Sequence, residues 1–228
     1  MSEASSSLPP KTRRFACPKN QGQRPVEPVG GARWTVCDLC RLLHAKGWLN
    51  ADGGAVSVRE GNVVYVAPVS PSAGETCPGD VVLLDLDPVG GGDAGAEAEG
   101  SGGRGFMMLP HRLAGAETVI HARSPNAVRA SRLFERHFPI PALPGLPTPA
   151  PIPILDDPHD DALLHRAFAD LLRERPGIAS VIVRDRGLFV WGRDWVEVRT
   201  LTEYLDFLFG RALSDEAASR PGGPPSVS

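Results

Sequence analysis

The sequence predicts an α/β domain in which helices are layered on a largely antiparallel sheet. Two observations carry this: short apolar runs come in pairs around turn residues, as hairpins do, and segments of helical period separate the pairs. The chain has 228 residues, with 24 Lys and Arg against 27 Asp and Glu. That length suits one domain, and the balance leaves no basic footprint for nucleic acid. No apolar run approaches the roughly 20 residues that a membrane helix needs, so neither nucleic acid nor a bilayer is an expected partner.

Residues 1–31 are rich in Ser, Pro, Gly and Gln and read as a disordered N-terminal extension. They contain no apolar signal core, and a cytoplasmic location is expected. "ARWTVCDLCRLLHAKGW" spaces Trp34, Cys37, Cys40, Leu43 and Gly47 about one turn apart, a helix with Gly47 as its stop. Cys37-x-x-Cys40 lies inside that pattern with no second pair at zinc-finger spacing, so it reads as two buried apolar residues, and all four cysteines are expected to be reduced. "AVSVREGNVVYVAP" is a hairpin turning at Gly61-Asn62, and "VVLLDL" (81–86) is the next strand. Residues 88–105 read as a flexible Gly-rich loop within the domain.

"TVIH" is a strand, and "SPNAVRASRLF" opens a helix with Ser124 as N-cap and Pro125 in the first turn. "PIPIL" is a further strand. Asp157-Pro158 caps a helix that runs to about Arg175 and is ended by Pro176-Gly177. "ASVIVRDRGLFVWG" is a hairpin with Asp185, Arg186 and Gly187 at its turn, and Trp191 and Trp195 read as packing residues beyond it. The last helix is expected to bury Val198, Leu201, Leu205 and Leu208 on one stripe. The domain therefore spans 32–214, followed by a disordered tail, 215–228.

"VIHARS" draws attention within this frame. His121 ends a strand, and two residues on, where a second imidazole would make a metal clamp, stands Arg123. His44, His111, His137, His159 and His165 show no paired spacing and read as surface or helix-face residues. Gly53-Gly54 is either a backbone anion cradle or a tight turn, and Asp156-Asp157 and Asp160-Asp161 suit helix capping.

Taken together, "LCRLLHAKGWLNADGGAVSV", "VVYVAP", "VIHARS", "VIVRDRGLFVWG" and "EYLDFLF" resemble, in order, the class II aldolase/adducin family, and within it the methylthioribulose-1-phosphate dehydratases of methionine salvage. The resemblance implies a three-layer α/β/α domain, commonly a homotetramer. It also implies a zinc held by a His-x-His at a strand end and a third His before a hairpin glycine. Zinc would act as a Lewis acid, a glutamate as acid/base, and glycine-rich loops would hold a sugar phosphate.

Carried over residue by residue, His121 matches the first ligand, while Arg123 and Arg186 occupy the other two ligand positions. Guanidinium offers only donors and stays protonated, so it cannot ligate zinc. The family's glutamate has no counterpart, since Glu135 comes too early, and its cysteine upstream of "VIH" is replaced by "GSGGRG". Gly53, Gly54 and Ser57 keep the phosphate turn, and Ala67-Pro68 is kept, but Val69-Ser70 replaces the family's Ser-Gly.

The expectation is a zinc-less, catalytically impaired homologue with no cofactor and no catalytic residue. Its role would be homo-oligomer assembly, pairing with an active paralogue, or scaffolding. Two alternatives stay open: an active dehydratase or altered sugar-phosphate lyase or isomerase using His121 with Arg123 and Arg186, and a module that binds a phosphorylated metabolite.

Overall fold

A computed structural model of the chain describes residues 31–50, 53–68, 73–87, 104–141 and 150–219. The expected N-terminal extension up to residue 30, the Gly-rich run from 88 to 103 and the segment from 220 on lie outside the described residues. The elements are α1 (Ala32–Ala45), β1 (Ala55–Glu60), β2 (Val63–Val66), a 3-10 turn (Ala73–Glu75), β3 (Val82–Asp85), α2 (Arg104–Leu113), β4 (Thr118–Ala122), α3 (Pro125–Leu133), β5 (His137–Phe138), β6 (Ile152–Leu155), α4 (Asp161–Glu174), β7 (Ser180–Val183), β8 (Gly187–Gly192) and α5 (Trp195–Ser219). The strands form one sheet in the order β3-β2-β1-β4-β8-β7-β6-β5, and every neighbouring pair is antiparallel except β6 and β7. The α/β class and the largely antiparallel sheet are as expected.

Period-two alternation along the central strands divides the core between the two faces. Ile120, Ala122, Leu188 and Val190 join Val36, Cys40, Leu43, Val198, Leu205 and Phe209 on the face covered by α1 and α5, with Ala127 and Ala130 of α3. Val119, Phe189 and Trp191 join Phe106, Met107, Leu164, Phe168 and Leu172 on the face covered by α2 and α4. Three layers result. His121, one residue beyond Ile120, projects to the α2/α4 side, where its ring lies on Phe189.

Several elements differ from expectation for local physical reasons. The loop was expected to reach residue 105, yet α2 begins at Arg104 and carries Pro110 in its interior. A mid-helix proline removes a backbone donor, but Phe106, Met107, Met108 and Leu109 are all buried, and that burial fixes the helix. The cap of α4 is Asp160, whose carboxylate accepts from the Ala162 and Leu163 N–H groups, and not Asp157. Leu201 is only partly buried, while Thr202 and Phe209 join the buried stripe of α5. That helix runs to Ser219, past the expected domain end at 214. Trp191 packs as expected at 4% exposure, but Trp195, in the first turn of α5, is 41% exposed. Cys37 and Cys40 are free and buried, with thiols that burial pushes up to about 11 and about 12. Cys77, half-buried after the 3-10 turn and outside either core, is disulfide-bonded, against the expectation of four reduced thiols.

Candidate functional site

The site forms where the C-terminal end of β4 meets the β7–β8 turn. The β4–β8 register sets His121 opposite Phe189, and the two rings stack with centroids 4.1 Å apart and planes 4° from parallel. Phe189 in turn packs edge-on against Phe106 and Phe168. His121 Nε2 lies 2.9 Å from the Arg186 carbonyl oxygen. A carbonyl only accepts, so Nε2 carries the proton and Nδ1 keeps the lone pair. Burial pushes the imidazole pKa down to about 4; the bond to the Arg186 carbonyl opposes this, and the charges of Arg123 and Arg186 reinforce it. The ring is therefore neutral at pH 7.

A glycine brings the hairpin this close. At Gly187 φ is 111°, and a Cβ would sit 2.5 Å from the Ala122 carbonyl oxygen and 3.1 Å from Arg123 Cα. Only glycine fits a backbone approach of that kind. Arg186, the residue before it, turns its guanidinium to the start of α4. Nε and Nη2 donate to the two Asp157 oxygens at 2.6 and 3.2 Å, and Nη1 lies 2.9 Å from Asp161 Oδ1. The same group sits over the Phe106 ring at 5.6 Å. Its bonds to Asp157 raise the Arg186 pKa. At Asp157, 10% exposed, burial works to raise the pKa, but the Arg186 hydrogen bonds outweigh it and hold the carboxyl below its ordinary range.

Arg123 behaves differently. Its backbone N–H donates to the Trp48 carbonyl at 2.8 Å, fixing the chain as it leaves β4. Its side chain is half-buried and reaches across Gly53, where a Cβ would lie 3.5 Å from Arg123 Cδ and 3.7 Å from Nη1. Among the described residues no carboxylate or carbonyl receives its guanidinium. Gly53 and Gly54 have φ values of 141° and 99°. Gly53 exchanges backbone hydrogen bonds of 3.1 and 3.0 Å with Asn50, and a Cβ on Gly54 would meet the Trp48 carbonyl oxygen at 2.7 Å. The turn is tight and closed on itself, and Arg123 packs on Gly53 at ordinary van der Waals distance.

The other residues singled out lie elsewhere. Ser57 is fully buried, and its hydroxyl donates to His111 Nε2 at 2.8 Å. Nδ1 of His111 donates to the Ala116 carbonyl at 2.8 Å. His111 is thus a core residue at 1% exposure, not a surface one, and burial pushes it down to about 4. The "FMML" run could have shown this, since Met107 stands one helical turn before it. Glu135 is exposed two residues beyond α3, and its carbonyl accepts from Arg184. Val69 and Ser70 lie outside the described residues. The structure thus gathers His121, Arg123, Arg186 and Gly53, and adds Phe106, Asp157 and Asp161. Asp157 lies outside α4, which begins at Asp161, so no helical spacing in the sequence announces that the two aspartates share a partner.

A zinc ion does not fit these residues. Among the described residues one imidazole nitrogen is available, its neighbours are two guanidinium groups, and the carboxylates of Asp157 and Asp161 are engaged by Arg186. Among the described residues no group of three or more His, Cys, Asp or Glu side chains is placed to hold a metal, whereas zinc takes at least three protein ligands. Among the same residues no helix is long and apolar enough to cross a membrane.

The topology and the β4–β8 site together define a class of protein. Residues 35–213 match the Class II Aldolase and Adducin N-terminal domain, and the chain belongs to that family. It is homologous to methylthioribulose-1-phosphate dehydratases at low identity: 28% over 199 residues to that of Mus musculus, covering 80% of this chain and 83% of the mouse protein. To the probable methylthioribulose-1-phosphate dehydratase of Drosophila grimshawi it is 29% identical over 212 residues, covering 84% of this chain and 90% of the fly protein. Among solved structures, the L-fuculose-1-phosphate aldolase of Thermus thermophilus superposes with a TM-score of 0.64 at 20% identity, over 84% of this chain and 98% of that one. YgbL of Klebsiella pneumoniae, a putative aldolase/epimerase/decarboxylase, gives 0.59 at 18% identity, over 80% of this chain and 88% of that one. At these identities the two structures speak for the fold alone.

Proposed function

We propose that this chain is a zinc-less, catalytically impaired homologue of the methylthioribulose-1-phosphate dehydratases, working in the cytoplasm through assembly or scaffolding. The observation that carries the reading is Arg186. In the place where the resemblance puts a third imidazole, a guanidinium is fixed by Asp157 and Asp161 and laid over Phe106. An accidental arginine would leave a half-buried charge uncompensated; this one has two carboxylates and a ring built around it.

The same facts weigh against an altered lyase or isomerase. His121 with a pKa near 4 is a weak base at neutral pH. Arg186 has its charge met by two carboxylates, so it offers little to a developing enolate. No glutamate reaches the site to replace them: among the described residues none is bonded to His121, Arg123 or Arg186.

An assembly role draws support from α5, where Val196, Tyr204 and Phe207 are 46, 41 and 59% exposed. At 100° per residue they fall on one face of the helix, and exposed apolar stripes of this kind mark association surfaces. The decisive test is turnover: the purified chain is given methylthioribulose 1-phosphate with and without added zinc. No dehydration in either condition is expected, and turnover at a rate comparable to a family dehydratase assayed alongside would sink the proposal. Sedimentation of wild type and Phe207→Glu checks assembly, with a shift toward monomer expected in the variant.

A further inference from the structure

The solvent face of α5 complements itself when its direction is reversed. Val196, Thr200, Phe207, Arg211, Ser214 and Ala218 are all exposed. At 100° per residue they fall within a stripe about 60° wide, with Glu203 along its edge. Phe207 stands near the middle and is 59% exposed. Four residues before it comes Glu203 and four after it Arg211; seven before comes Thr200 and seven after Ser214; eleven before comes Val196 and eleven after Ala218. The two halves thus match charge with opposite charge, hydroxyl with hydroxyl and apolar with apolar. An isologous contact demands this of a surface, because each residue before the two-fold axis meets its counterpart after it.

From this pattern we infer, building on the assembly role proposed above, that the α5 face takes a second copy of this chain. The two helices lie antiparallel with the two-fold axis through Phe207, and Glu203 of each copy faces Arg211 of the other. A parallel pairing would set Glu203 on Glu203 and Arg211 on Arg211, which repel. At 1.5 Å per residue the charge pairs lie about 6 Å, and the hydroxyl pairs about 10 Å, to either side of the axis, so one helix–helix contact engages them all. Glu203 has room for this second cation. Lys46 meets its Oε1 at 3.3 Å, and a carboxylate accepts at two oxygens. The far end of the stripe has the same explanation. Helix α5 continues to Ser219, past the family match that ends at residue 213, and this added length supplies Ser214 and Ala218.

The test is sedimentation of the full chain over a range of concentrations, with native mass spectrometry. The samples are wild type, Glu203→Arg, Arg211→Glu, the Glu203→Arg/Arg211→Glu double variant, and an equimolar mixture of the two single variants. Each single variant places like charges opposite one another twice in every pair, so self-association is expected to weaken about tenfold or more. The double variant exchanges the charges and recovers it. Mixing the single variants also recovers it, as pairs holding one copy of each. Thermal melts establish that every variant is folded. Single variants that associate as tightly as wild type, or a double variant and a mixture that both stay apart, overturn the inference. Phe207→Glu separates the two failures: if it alone dissociates the wild-type assembly, the antiparallel register falls and assembly through α5 stands. A wild type that stays monomeric overturns both and leaves the stripe to a different chain.

Discussion

His111 is a histidine kept neutral by its surroundings, with Nδ1 bonded to the Ala116 carbonyl and Nε2 accepting from Ser57. Its folded pKa is depressed to about 4 from an unfolded value of 6.5. Between those values the unfolded chain binds the extra proton, so stability is fully present above about pH 6.5 and is lost as pH falls toward 4. The shift corresponds to about 3 kcal/mol at most. Thermal melts from pH 7 to 4 are expected to fall less steeply for His111→Gln than for wild type, and parallel slopes would contradict this. Gly187 has the opposite character, since no other residue suits φ 111° with the Ala122 oxygen 2.5 Å from its Cβ position. Gly187→Ala is expected to cost about 2 kcal/mol or more in urea unfolding. His121, Arg123 and Arg186 were legible as a group only through the family resemblance, which pairs a strand-end motif with a residue before a hairpin glycine. Their partners were not, because Asp157 and Asp161 reach Arg186 from another element and nothing local distinguishes a carboxylate that caps from one that pairs.

The hairpin β7–β8, the N-terminus of α4 and the first turn of α2 are tied by one side chain. Removing it with Arg186→Ala leaves the largely buried Asp157 without its cation. Breaking a fully buried pair costs about 3–5 kcal/mol; with Arg186 26% and Asp161 42% exposed, about 2 kcal/mol is expected here from denaturant unfolding. Asp160→Ala, which removes only the two N-cap hydrogen bonds of α4, should cost about 1 kcal/mol. If the two variants lose the same amount, the cluster is no more than a surface pair. Most elements could be read from the chain: Gly47 stops α1, Gly61-Asn62 turns β1 into β2, and Ser124 caps α3 through the Ala127 N–H, as their residue types require. Helix α2 escaped that reading. Its Pro110 and the Gly-rich approach speak against a helix, and only packing of its Phe106–Leu109 run in the core overrides them.

Across the molecule, an intact family scaffold surrounds a changed centre. The sheet order, with β4 and β8 adjacent at its middle, delivers the strand end and the hairpin turn to one place whatever residues occupy them. Fold and site location therefore do not depend on which residues stand at the strand end and the turn, because the core is fixed by alternating apolar residues on both faces of the sheet. The fold class was accordingly legible from hydrophobic period and turn residues, while the state of the centre depends on which groups neutralise one another across elements. The most direct test is elemental mass spectrometry on the tag-free protein, purified from zinc-supplemented cells, beside an Arg123→His/Arg186→His variant. Zinc far below one per chain in wild type, rising in the variant, is the predicted result. Close to one zinc per chain in wild type would contradict it.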